Sequence, residues 1–190
     1  TIPVYKRILA DLLTPVAAWV HLSKKAEYAF LLESVEKGNQ YSRYSYVGIN
    51  PQKILMHKDG HTSITENGQS INVNTPFLDL LREIQSKYNM VKLPEIPSFT
   101  GGLVGYLGYE TIAWIEDIPT HNERQLNVPD ADFMLLDDMI AFDHLKGSAP
   151  VISNVKVDPN RSLKEKFDEA HLRGETFCEL PPSPVNYQSR

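Results

Sequence analysis

The sequence predicts an α+β fold of mainly antiparallel, sandwich-like sheets with several flanking helices. Three observations carry this expectation. Two dipeptides suited to tight hairpin turns, Asp59-Gly60 and Asn67-Gly68, sit between β-rich runs. Helical segments separate groups of strands and do not alternate with single strands. Hairpins also outnumber any βαβ unit, which argues against a doubly wound parallel sheet. The 190 residues suit one domain, or a domain plus a linker, and 42% hydrophobic content is enough for a core.

Tyr5–Ala10 reads as a short strand. Thr14-Pro15 pairs an N-cap with a proline at the first helical position and opens a helix to about Leu22. Tyr28–Leu32 is continuously apolar, as a strand buried on both faces would be. Residues 43–73 are expected to form one antiparallel meander, with Lys53–His57, Thr62–Glu66 and Ser70–Val73 among its strands. Thr75-Pro76 repeats the cap-and-proline device, and Phe77, Leu80, Leu81, Ile84 and Tyr88 fall on one helical face.

Pro94 and Pro97 mark a loop before FTGGLVGYLGYE at 99–110. Phe133–Leu136, Met139–His144 and Val151–Val157 read as strands, the last two joined at Lys146-Gly147. Arg161–Thr176 is a charged helix, with Leu163, Phe167, Ala170 and Phe177 facing inward. The proline-rich end, 179–190, reads as a linker after a domain at 1–178.

Several function classes lose support. Net charge is −5 and the basic residues are scattered, so a nucleic-acid surface is not expected. No stretch approaches the roughly 20 apolar residues of a membrane span. KRILADLLTPVAAWV superficially resembles a signal segment, but Asp11 and Pro15 interrupt its apolar run. Cys178 is the single cysteine, which fits a reducing, cytoplasmic setting. The glycines at 101, 102, 105 and 108 match neither nucleotide-binding spacing, so close backbone packing is the expected role. The six histidines form no ligand pattern, and Asp137, Asp138 and Asp143 read as solvated hairpin carboxylates. No catalytic residue and no metal ligand is assigned.

Glu33-Ser34, at the end of an apolar run, is the best candidate for a small-molecule contact. A carboxylate offers a counter-charge to an ammonium group, and the hydroxyl beside it can donate or accept. Tyr44, Tyr46 and Leu32 could cover a hydrophobic side chain, which together would suit an amino-acid ligand. From residue chemistry alone, a plain polar strand terminus is the commoner explanation of the same residues.

LLES at 31–34, the RYSYVG segment at 43–48 with Asn50-Pro51, and FTGGLVGYLGYE closely resemble the N-terminal domain of anthranilate synthase component I. YKRILADLLTPVAAW and the segment from Ala131 to His144 fit the same family. The resemblance implies a chain contributing much of a tryptophan feedback site, with Leu32, Glu33, Ser34, Arg43, Tyr44 and Ser45 as the L-tryptophan-binding residues. It implies that the full-length enzyme converts chorismate to anthranilate and pyruvate, using ammonia from a glutamine amidotransferase subunit. Its chorismate and Mg2+ sites would lie in a C-terminal catalytic domain outside this chain. The isolated fragment is then expected to be inactive and to bind tryptophan weakly. A 4-amino-4-deoxychorismate synthase domain and a stand-alone amino-acid-binding module are the alternatives.

Overall fold

The computed structural model describes residues 1–10, 13–33, 43–119, 126–178 and 180. The chain forms two compact units, passing from one to the other after Pro51, Tyr88, Gly101 and Leu136. All strand pairings in both are antiparallel. The α+β class therefore stands as the sequence predicts.

The first unit contains β1 (Ile2–Leu9), α1 (Pro15–Ser23), β2 (Ala29–Leu32) and β3 (Tyr44–Ile49). The second contains β4 (Lys53–Lys58), β5 (His61–Glu66), β6 (Gln69–Val73), α2 (Phe77–Ser86), β7 (Gly102–Leu107), a 3₁₀ segment at Tyr109–Trp114 and β8 (Ala131–Leu136). β9 (Asp138–Asp143), β10 (Ser148–Val155) and α3 (Leu163–Cys178) return to the first.

The first unit is a five-stranded sheet in the order β1-β10-β9-β3-β2. Strand alternation sends Val47, Ile49, Ile140, Phe142 and Val151 to one face, where they pack with Ala18 and Leu22 of α1 and Phe177 of α3. α1 starts as its sequence specifies: the Ala17 N–H donates to Thr14 Oγ1 at 3.1 Å, and Pro15 occupies the first turn. α3 departs from expectation in its first half. Ala170 and Phe177 are buried, whereas Leu163 and Phe167 are more than half exposed, because the helix packs on β10, β1 and β9 mainly through its later turns.

β2 is an edge strand, so its apolar run does not mean burial on both faces. Phe30 is buried but Leu32 is 44% exposed. Residues 43–73 likewise do not form one meander. β3 pairs with β2 and β9, whereas β4, β5 and β6 form a meander in the second sheet. Asn50, with φ of 51°, and Pro51 separate them: a left-handed residue followed by one lacking an N–H ends the ladder there.

The second unit has strand order β6-β5-β4-β8-β7. Both predicted turns close hairpins, with φ values of 51° and 77° at Asp59-Gly60 and 52° and 75° at Asn67-Gly68. Leu55, Ala131 and Leu135 of the sheet pack on Phe77, Leu80 and Ile84 of α2; each large side chain so buried contributes about 2 kcal/mol. The expected cap at Thr75 does not form. Pro76 stays extended, with ψ of 139°, and is itself the N-cap residue, leaving the helix without a side-chain cap. In β7, a Cβ on Gly105 would lie 2.0 Å from Asp132 O and 2.6 Å from Phe133 Cα. Only glycine allows β7 to approach β8 so closely, which accounts for part of the glycine cluster.

Candidate functional site

The described residues among those singled out from sequence lie at one end of β2 and β3, where two rules of strand geometry sort them. The register places Leu32 directly opposite Tyr46, so those side chains share a face. Alternation puts Tyr44 on that face and Ser45 on the other. The Tyr44 and Tyr46 rings lie 6.2 Å apart, and Phe99 meets Tyr46 edge-on at 5.2 Å. Leu32 is exposed beside this aromatic row, and Glu33, the next residue and past the end of β2, is exposed as well. Ser34 falls outside the described residues.

Ser45 is fully buried on the helix-covered face and shares a hydrogen bond of 2.7 Å with His144 Nε2. Arg43 is held by Asp143: its Nε and an Nη donate to the two carboxylate oxygens at 2.9 and 2.6 Å. Its guanidinium also lies 4.9 Å from the Tyr44 ring centroid. The solvated reading of Asp143 is thus overturned, since the residue is only 5% exposed. Burial pushes its carboxyl upward. Arg43 and the Leu145 and Lys146 N–H groups more than reverse this and hold it below its ordinary value. Tyr46 shifts the other way: burial, with a smaller contribution from Tyr44, pushes its hydroxyl up to about 12.

Leu32 and Tyr44 thus share one face of this strand end, and Glu33 is exposed just past it. Arg43 supports Tyr44 while paired to Asp143, and Ser45 anchors β3 from behind. Phe99, Asp143 and His144 complete the arrangement. No local sequence signal marks them as partners: Asp143 and His144 follow Arg43 and Ser45 by about a hundred residues, and Phe99 belongs to a proline-marked loop.

An exposed carboxylate next to an apolar side chain and an aromatic row can hold a small amphipathic cation or zwitterion. Covalent chemistry has no such support. The Cys178 thiol is pushed up by burial, opposite to the shift that activates a nucleophile. Among the described residues, no three His, Cys, Asp or Glu side chains gather as a metal site, and no helix is long and apolar enough to cross a membrane. Fold and surface together define an α+β protein whose β2–β3 end exposes an apolar and aromatic row with a carboxylate just past it.

No family model matches the chain. It is 35% identical over 160 residues to anthranilate synthase component 1 of Acetivibrio thermocellus, an alignment covering 84% of this chain and 32% of that protein. Identity to the Synechocystis component 1 is 39% over 147 residues, 76% and 29% of the two chains. The Acinetobacter calcoaceticus component 1 aligns over 206 residues at 34%, spanning 100% of this chain and 39% of the relative. A crystal structure of anthranilate synthase component I from Streptococcus pneumoniae TIGR4 superposes with a TM-score of 0.58 at 26% identity, covering 97% of this chain and 39% of that one. The chain belongs to the anthranilate synthase component I family. It spans about a third of the length of the curated relatives it matches.

Proposed function

We propose that the chain is the N-terminal regulatory domain of an anthranilate synthase component I, and that the end of β2 and β3 forms one wall of a tryptophan feedback site. The observation that carries this reading is the pairing of Leu32 with Tyr46, with Phe99 packed on Tyr46 and Glu33 exposed next to Leu32. Glu33 receives the ammonium group of tryptophan and Ser34 fixes its orientation. The indole rests on Leu32 and the aromatic row. Arg43 contacts ligand only by loosening from Asp143, so its part is to hold Tyr44. Ser45 works through His144, by keeping β3 in place.

In this reading the remaining two thirds of such a protein carries the chorismate and Mg2+ sites, and a glutamine amidotransferase subunit supplies ammonia in the cytoplasm. The whole enzyme makes anthranilate and pyruvate, whereas this chain alone is inactive. Tryptophan inhibits by favouring a domain arrangement unsuited to turnover, a shift bounded by its differential affinity for the two states.

The test is feedback inhibition of the full-length enzyme, followed by anthranilate fluorescence. Glu33→Ala and Ser34→Ala should each raise the tryptophan concentration needed for inhibition, by about tenfold for loss of one charge-assisted hydrogen bond. Unchanged inhibition in both variants would sink the residue assignment. Formation of aminodeoxychorismate without anthranilate would overturn the family activity proposed.

A further inference from the structure

The second unit contains a cavity that the tryptophan reading does not use. It measures about 480 Å3 and opens at the start of α2, within the range of roughly 300–1,000 Å3 common for small-molecule sites. Three rings from three separate elements converge on it: His57 of β4, Phe77 of α2 and Trp114 of the 3₁₀ segment. His57 meets Trp114 edge-on at 4.8 Å, and Phe77 lies 5.9 Å from Trp114. Thr62 Oγ1, at 2.9 Å from His57 Nδ1, fixes the imidazole, and Phe77 is nearly fully buried. The walls are therefore held in place before any guest arrives.

Trp114 nevertheless remains 38% exposed. An indole left accessible beside a preformed cavity is apolar surface that a planar guest would cover. The polar groups at this opening are of two signs. Arg82 donates to Asp79 at 2.7 Å across one helical turn, with both side chains more than half exposed. Such a surface pair is weak and opens readily, presenting a guanidinium and a carboxylate to the same guest. A simple aromatic acid would meet Arg82 but be repelled by Asp79, and an aromatic amine would meet the converse. A zwitterion satisfies both.

We propose that this cavity is a second ligand site, for an aromatic α-amino acid whose ring enters among His57, Phe77 and Trp114. Its carboxylate binds Arg82 and its ammonium group binds Asp79. The site lies wholly in the second unit, so it stands or falls independently of the β2–β3 assignment.

Trp19 and Trp114 are the two tryptophans of the chain, so Trp19→Phe leaves Trp114 as the sole indole reporter. Trp19→Phe breaks no hydrogen bond of the indole among the described residues, since its buried Nε1 has no partner there, and it keeps an aromatic ring against the core of the first unit. The Trp19→Phe form of the 190-residue chain is titrated with L-phenylalanine, 3-phenylpropionate and 2-phenylethylamine, following Trp114 emission and the heat of binding. L-Phenylalanine should give a saturable response. Each analogue, lacking one charge, should bind roughly tenfold more weakly. Arg82→Ala should remove the advantage of L-phenylalanine over phenylethylamine, while Lys87→Ala, an exposed charge at the C-cap of the same helix, leaves it unchanged. Equal binding of all three probes would overturn the proposal by showing an unselective apolar cleft. So would the absence of both a saturable emission change and a heat of binding.

Discussion

The strand end at Leu32–Glu33 and the cavity beside Trp114 could both take an amphipathic guest, but they are built by opposite means. At the strand end the recognition groups are consecutive in sequence, and an edge strand exposes them on an open surface. In the second unit the rings come from positions 57, 77 and 114, and their convergence makes a concave site with no contiguous motif. A contiguous motif thus marks an open surface, whereas a concave one assembled from distant residues leaves no signature. Supporting charge differs in the same way. Asp143 and Arg43 are locked together behind the strand end, while Asp79 and Arg82 are paired loosely at the cavity's opening.

Because Trp19 lies in the first unit and Trp114 in the second, single-tryptophan forms can report the two separately. The largest effect should follow Gly105→Val. The added side chain collides with the Asp132–Phe133 backbone and should cost the second unit more than about 3 kcal/mol. Urea unfolding followed by Trp114 should lose stability well before the Trp19 signal does. Simultaneous loss of both signals would show that the units unfold as one.

Asp143→Ala should act on the first unit, by about 2 kcal/mol at neutral pH, since it leaves two backbone N–H groups without their acceptor and frees Arg43, which is a third exposed, to solvent. The folded carboxyl titrates below its unfolded value. Its contribution is therefore complete above that value and is lost as pH falls through the folded pKa. The gap between the native chain and Asp143→Ala should narrow below about pH 4; a gap constant from neutral to acid pH would contradict the pairing.

Tyr46 gives the alkaline counterpart. Its raised pKa means that stability is held below the unfolded tyrosine value of about 10 and falls as pH climbs towards the folded value of about 12. Tyr46→Phe should flatten that part of the alkaline loss, measured by thermal unfolding across the range. Ser45→Ala should cost about 1 kcal/mol by leaving His144 without its hydroxyl partner. Smallest of all, Glu33→Ala should change stability by less than about 0.5 kcal/mol, because the residue is exposed. A large destabilisation would make Glu33 a structural residue and remove the basis for reading the loss of inhibition as lost ligand contact.

Local chemistry was legible wherever a few adjacent residues decide the outcome. Thr14-Pro15 set a helix start, Asp59-Gly60 and Asn67-Gly68 set hairpins, and the spacing of Phe77, Leu80 and Ile84 set a buried helical face. Thr75-Pro76 carries the same pattern as Thr14-Pro15, yet Pro76 stayed extended and the helix began one residue later. The candidate site was legible as a set of residue types at 32–34 and 43–45, but not as a geometry. Alternation turned Ser45 away from Tyr44, and Arg43 was engaged by a carboxylate a hundred residues distant.

By itself the sequence determined the α+β class, the turns, most element positions and the family resemblance, because these rest on periodicity, backbone preference and short motifs. Tertiary structure alone decided that β3 leaves the meander for the other sheet, that β2 lies at an edge, and that Asp143 is buried against Arg43. It also decided that His57, Phe77 and Trp114 line one open cavity. These outcomes depend on pairings between residues far apart in the chain, where the energy of contact and burial, not local preference, selects the partner.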